Sequence, residues 1–163
     1  MLDGNYWEER YKLGKTGWDL GSPSPALCSY FEKLEGKDLK ILIPGAGKSH
    51  DLQWLHQQGF TNSVVLDISK TALEEAKSLY PQIPEKHFIE GDFFKHKETY
   101  DLIVEQTFFC ALDPSLRPKY AQKMHHLLGP AGRLVGLLFD FPLSADGPPF
   151  GGSAAEYQKY FSP

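Results

Sequence analysis

The sequence predicts an α/β fold, a mainly parallel sheet with helices on both faces. Three observations point there. Short apolar runs without polar alternation recur along the chain, as in strands covered on both sides. Stretches of helical period separate them. Each run ends on glycine or a polar residue, where the ligand crevice of an α/β sheet lies. The 163 residues suit one domain spanning 1–163, and 41% of them are hydrophobic, enough for a core.

The elements follow in order. Residues 1–25 are rich in aromatics and glycine, notably Tyr6, Trp7, Tyr11 and Trp18, unlike a disordered tail. A short helix is expected near Asn5–Leu13, followed by a loop. Ser24-Pro25 reads as an N-cap with proline at the first helical position. Leu27, Tyr30, Phe31 and Leu34 then lie on one helical face. Lys40–Ile43 is the first strand, followed by the glycine turn Pro44–Gly47. A helix runs on to about Gln58 and closes on Gly59. Val64–Leu66 is the second strand, ending on Asp67. Thr71–Leu79 is a helix with Thr71 and Glu74 as a capping box. His87–Ile89 is the third strand, ending on Gly91-Asp92. Tyr100–Val104 is the fourth, ending on Glu105-Gln106. Pro118–Leu128 is a helix with Tyr120, Ala121, Met124, Leu127 and Leu128 on one face, stopped by Gly129-Pro130. Leu134–Phe139 is the fifth strand. A loop rich in glycine and proline follows, and a last helix begins near Ser153.

Bulk properties narrow the function. The net charge is −4 and no basic block stands out, so no nucleic-acid partner is expected. No run approaches a membrane span, and the N-terminus lacks a signal-peptide core, so no membrane is expected. Cys28 and Cys110 make no disulfide framework, which suits a reduced, cytoplasmic setting. His125-His126 lacks companion ligands, and no metal site is expected.

The chemistry is read from the strand ends. Gly45 and Gly47 allow a ligand close to the backbone. Asp67 lies about 20 residues on, where a carboxylate can accept from ribose hydroxyls. Gly91-Asp92-Phe93-Phe94 places a polar group beside two rings, and Glu105, Gln106 and Thr107 close the fourth strand. Taken singly, each has an ordinary reading: a βα turn, a strand-end cap, a turn former, core phenylalanines. Their joint placement on successive strand ends marks one crevice. A dinucleotide fingerprint asks for a third glycine, but His50 stands in that place. S-adenosylmethionine has no phosphate and carries a sulfonium, which aromatic faces attract. Trp7, Tyr11 and Trp18 are candidates for that role if the N-terminal segment folds over the crevice. The pattern favours S-adenosylmethionine. His50 reads as a structural hydrogen-bonder, and Cys110 as buried and inert.

Three blocks then resemble one family. Tyr6-Trp7-Glu8-Glu9-Arg10-Tyr11 with Gly14 to Asp19, Ile43 to Asp51, and Thr107 to Pro114 are similar to the thiopurine S-methyltransferase family, which includes plant thiol and halide methyltransferases. The resemblance spans nearly the whole chain and implies a Rossmann-like class I methyltransferase fold. It also implies roles. Trp7, Tyr11 and Trp18 would wall the cofactor from an N-terminal lid, and Gly45 and Gly47 would approach its amino acid end. Asp67 would hold the ribose with Ile68 beside it. Asp92 and the Phe93 backbone would read the adenine. Glu105, Gln106 and Thr107 would lie near the methionine moiety. Gln106 and Arg117 are the substrate-facing candidates; plant members carry tyrosine near position 106. No catalytic triad is apparent.

That fold ordinarily finishes with a further strand pair, which the sequence after Phe139 does not provide. The fifth strand is therefore expected to be an exposed apolar edge, with marginal stability alone or oligomerisation through that edge. The function expected is methyl transfer to a small soft nucleophile (thiol, thiopurine or halide). The alternative is a catalytically incompetent S-adenosylmethionine-binding module within an assembly. A nicotinamide-dependent dehydrogenase is the weaker third reading. The acceptor would be chosen by the lid, segment 106–117 and loop 140–153.

Overall fold

A computed structural model describes residues 2–143 and 145–162. Met1, Ser144 and Pro163 lie outside the described residues, and with them the outer ends of the expected domain and one position of loop 140–153. The chain forms α1 (Gly4–Lys12), α2 (Pro25–Phe31), β1 (Ile41–Pro44), α3 (His50–Gln57), β2 (Ser63–Asp67), α4 (Lys70–Leu79), β3 (Phe88–Glu90), β4 (Tyr100–Gln106), α5 (Arg117–Leu127), β5 (Leu128–Leu137) and α6 (Ala154–Phe161). The five strands are all parallel, in the order β3-β2-β1-β4-β5. The chain winds outward from β1 to β3 and then returns to β4. The switch point therefore lies between β1 and β4, at the carboxyl ends of the strands.

Both faces of the sheet are covered. On one, Ile41, Ile43, Val65, Leu102 and Val104 pack against Leu27 and Phe31 of α2, Leu52 and Leu55 of α3, and Leu73 and Ala76 of α4. On the other, Leu42, Leu66 and Ile103 pack against Tyr120, Met124 and Leu127 of α5, with Tyr157 and Tyr160 of α6 at the margin. Truncating one such buried leucine to alanine costs about 2–5 kcal/mol. Every residue of β1 is buried, which is why its sequence does not alternate.

The expected elements are present, with shifted ends. α2 stops at Phe31, and Leu34 reaches the core from the following turn. α4 is capped by Ser69, which accepts from the Ala72 N–H, and not by Thr71. Thr71 instead gives its hydroxyl to Glu8. His87 ends a short 3-10 turn ahead of β3, its ring against the Ser63 carbonyl. The largest shift is in β5, which starts at Leu128 and takes in Gly129-Pro130. Its register breaks between Tyr100 and Leu102. A Cβ on Gly132 would lie 2.9 Å from the Tyr100 carbonyl oxygen, so the bulge needs glycine there. Proline is tolerated because this is an edge strand.

Among the described residues, no strand pairs with the outer edge of β5. Leu137, Phe139, Phe141 and Leu143 are 38–47% exposed along and beyond it, as the sequence led us to expect. The segment beyond β5 returns through one antiparallel bridge, Phe141 to Gly152, into α6.

Candidate active site

The turn after β1 is unusual backbone. Gly45, Gly47 and Ser49 all have positive φ, at 71°, 51° and 59°. A Cβ on Gly45 would stand 2.7 Å from the Phe108 ring, so only glycine fits. The turn wraps the carboxylate that ends β2. Asp67 accepts from the Ser69 N–H at 2.8 Å and is 7% exposed. Burial raises its pKa to about 6, against the pull of backbone N–H groups of Ser69, Gly47, Ile68 and Ala46. Ile68, next along, is 42% exposed.

At the end of β4 the residues divide by alternation. Gln106 lies on the face of Leu102 and Val104, and its buried Oε1 has no hydrogen-bond partner. Glu105 points the other way. It was expected near the methionine moiety, but its carboxylate is directed inward. It accepts from the Phe108 and Phe109 N–H groups at 2.9 Å each and from the Tyr120 hydroxyl at 2.5 Å. Burial raises its pKa. The bonds hold the loop beyond β4, including Thr107 at a φ of 59°, which is strained for a β-branched residue. A Cβ on Gly136 of β5 would lie 2.5 Å from the Glu105 Cβ, so the neighbouring strand also needs glycine.

After β3, Asp92 accepts from the Phe94 N–H at 2.8 Å and caps a 3-10 turn, Phe93–Lys95. Phe93 is buried against Phe108 and Tyr120, at ring centroid distances of 5.2 and 5.6 Å. Phe108, which the sequence suggested was core, bridges Phe93 and Gly45 and so floors the crevice.

The N-terminal segment lies over these turns. A Cβ on Gly4 would be 3.2 Å from the Ile68 side chain, and one on Gly47 would be 3.8 Å from the Tyr11 hydroxyl. Trp18 meets Trp7 and Tyr11 edge to face, at 5.7 and 5.8 Å. The Arg10 guanidinium sits over the rings of Tyr6 and Trp18, at 5.6 and 5.7 Å, and its buried Nε lacks a partner. Trp7, Tyr11 and Trp18 therefore pack as one aromatic cluster beside these turns.

One further residue sits differently from the sequence reading. Arg117 was expected to face the substrate. It is fully buried, pairing with Glu156 of α6 at 2.6 Å and donating to the Gly151 carbonyl at 2.7 Å. Its two partners lie far along the chain, which is why sequence spacing did not reveal them. His50 is clamped between the Tyr80 hydroxyl at 2.5 Å and Asp19 at 2.9 Å, a structural role as expected. Cys110 is buried, and burial pushes its thiol up to about 12. Sequence reasoning missed Arg10, Glu8 and Asp19 as lid residues. Their only signal was position, beside the tryptophans and tyrosine of that segment.

A strained glycine turn, a buried carboxylate after β2 and an aromatic cover now stand in one place, and comparison with known proteins names their family. The thiopurine S-methyltransferase family model matches residues 2–163. The chain belongs to the thiopurine S-methyltransferase family. It is thereby an S-adenosylmethionine-dependent methyltransferase of the thiol or thiopurine type. A probable thiol methyltransferase 2 of Arabidopsis thaliana is 37% identical over 162 residues, covering 96% of this chain and 71% of the relative. A thiopurine S-methyltransferase of Vibrio cholerae serotype O1 is 30% identical over 179 residues, covering 99% and 82%. The fold resembles the crystal structure of Burkholderia thailandensis 1,6-didemethyltoxoflavin-N1-methyltransferase with bound 1,6-didemethyltoxoflavin and S-adenosylhomocysteine. That match has a TM-score of 0.70 at 18% identity, over 98% of this chain and 74% of the other.

Proposed function

We propose that this methyltransferase moves the methyl group of S-adenosylmethionine to a small, soft, anionic acceptor, a thiolate foremost, with thiopurines and thiocyanate- or halide-like anions as the same chemical class. One observation carries the choice: among the described residues, Glu105 and His50, the side chains best suited to act as a general base beside β4 and the glycine turn, are both engaged by partners. Glu105 is held by two N–H groups and Tyr120. His50 is held by Asp19 and Tyr80. Arg117 is paired with Glu156. An alcohol or amine acceptor needs a base to remove its proton, whereas a thiolate arrives ionised. The named relatives, which include a thiocyanate methyltransferase of Brassica oleracea, point to the same class.

The residues present fit the cofactor. The unpartnered Gln106 Oε1 suits the amino group of its methionine end, and the unpartnered Arg10 Nε suits its carboxylate. The turn at Gly45 and Gly47 lets backbone approach that end. Asp67, beside Ile68, suits the ribose diol, and Asp92 with the Phe93 backbone suits the adenine edge. Trp7, Tyr11 and Trp18 offer ring faces to a sulfonium. When bound, S-adenosylmethionine supplies an electrophilic methyl on a cationic sulfur with a neutral thioether as leaving group. The chain's own contribution is alignment and exclusion of water, which favours a step that consumes opposite charges. The test is transfer from methyl-labelled cofactor to a panel of thiol, thiopurine, thiocyanate, iodide, catechol and amine acceptors. Labelled thioether or methylated anion is expected, with catechol and amine blank. Turnover confined to the catechol or amine would overturn the reading.

We also propose that the outer edge of β5, with exposed Leu137 and Phe139, is a contact between copies of the chain.

A further inference from the structure

The segment 3–21 is fastened to the sheet at two points by carboxylates. The first is Glu8 on α1. Its Oε2 accepts from the Ser69 hydroxyl at 2.8 Å and the Thr71 N–H at 3.1 Å, and its Oε1 from the Thr71 hydroxyl at 2.6 Å. These donors form the first turn of α4, directly after Asp67, where free N–H groups favour an anion. The second is Asp19. Its Oδ1 meets His50 Nε2 at 2.9 Å and accepts from the Gly21 N–H at 2.9 Å, while its Oδ2 pairs with Lys48 at 2.8 Å. Lys48 lies in the turn directly after Gly47, and His50 begins α3. Between the two fastenings, Tyr11 is 6% exposed over the turn, and Asp67 beneath is 7% exposed.

With both fastenings made, Tyr11 within the segment and Asp67 beneath it are both buried. We propose that Glu8 and Asp19 are positioning residues that hold the N-terminal strap shut, and that cofactor exchange proceeds only when their bonds release. The proposal rests on the cofactor reading of the crevice given above. The charges support it. Hydrogen bonds, chiefly from Thr71, pull Glu8 down to about 2. Burial pushes Asp19 up, but Lys48, Gly21 and His50 outweigh it and leave it at about 2. Both stay ionised through the working pH range. Both carboxylates are engaged by α4 and by the start of α3, so the strap sets exchange and not the methyl transfer itself.

The experiment is stopped-flow tryptophan fluorescence of S-adenosylhomocysteine release into excess unlabelled competitor, for the wild type, Glu8→Gln, Asp19→Asn and Lys48→Met. Lys40→Met serves as a remote control, since its partner Glu98 lies at the far end of the sheet. Hydrogen exchange of the free chain runs alongside. The expected result is release at least tenfold faster in Glu8→Gln and Asp19→Asn and several-fold faster in Lys48→Met. Exchange should quicken in residues 4–20 and stay unchanged in β1 and β4. Release within twofold of the wild type in all three variants, with binding intact, would overturn the strap and leave the cofactor reading standing. A folded wild type that does not bind S-adenosylhomocysteine would overturn both.

Discussion

Asp67 ties the crevice to pH. Its pKa of about 6 means that the free protein keeps the proton well above the usual carboxylate range. In the proposed cofactor site the ribose diol would donate to the ionised form, so ionisation would have to precede binding. Affinity for S-adenosylhomocysteine should be flat above pH 6 and fall by up to tenfold per unit below it. The sign for folding is opposite. A raised carboxyl pKa adds stability below the unfolded value, and that stability is lost as pH rises through about 6. Titration calorimetry from pH 5 to 8 checks the first point; an affinity that does not change across that range would remove ionised Asp67 from the site. Asp67 alone reads as a strand-end cap, and it becomes a site candidate only through its placement with Gly45, Gly47 and Asp92 on successive strand ends. Glu105 was legible by the same rule and is turned inward. The difference is side-chain parity along β4, and the strand runs two residues further than the apolar run suggested, through Glu105 to Gln106.

At the scale of elements, the strands and most helices were readable from burial and period. Their caps and joints were not. The register break of β5 depends on a bulge that only the neighbouring strand defines. The Arg117–Glu156 pair joins α5 to α6 across a long loop, and no local pattern announces it. Arg117 also lies over the Phe109 ring at 4.8 Å. Removing one partner of a buried pair leaves the other uncompensated, which costs about 3–5 kcal/mol. Arg117→Ala should therefore lower the unfolding free energy read from a denaturant titration by that order and release α6, raising hydrogen exchange in Ala154–Phe161. An Arg117→Ala protein of wild-type stability, losing only acceptor turnover, would restore the substrate-facing role read from the sequence. Glu156→Ala would leave the fully buried Arg117 guanidinium without its ion pair and should cost a comparable amount.

For the whole molecule, the sheet presents its switch point to the strap on one end and an apolar edge at β5 on the side. An uncovered edge strand with exposed Leu137 and Phe139 templates further pairing. Sedimentation velocity should show concentration-dependent self-association, abolished by Leu137→Lys; a monomer at all concentrations would contradict it. The run Leu134–Phe139 read as an apolar strand, and among the described residues no strand pairs with its outer edge. The sequence did not carry the attachment of the N-terminal segment to turns far along the chain, such as Glu8 with Thr71.

The most direct test of the account is calorimetric titration of the chain with S-adenosylhomocysteine, paired with Asp67→Ala. The account predicts saturable one-to-one binding by the wild type and its loss in the variant, with both proteins folded by circular dichroism. Equal binding by the two proteins, or none by a folded wild type, would contradict it.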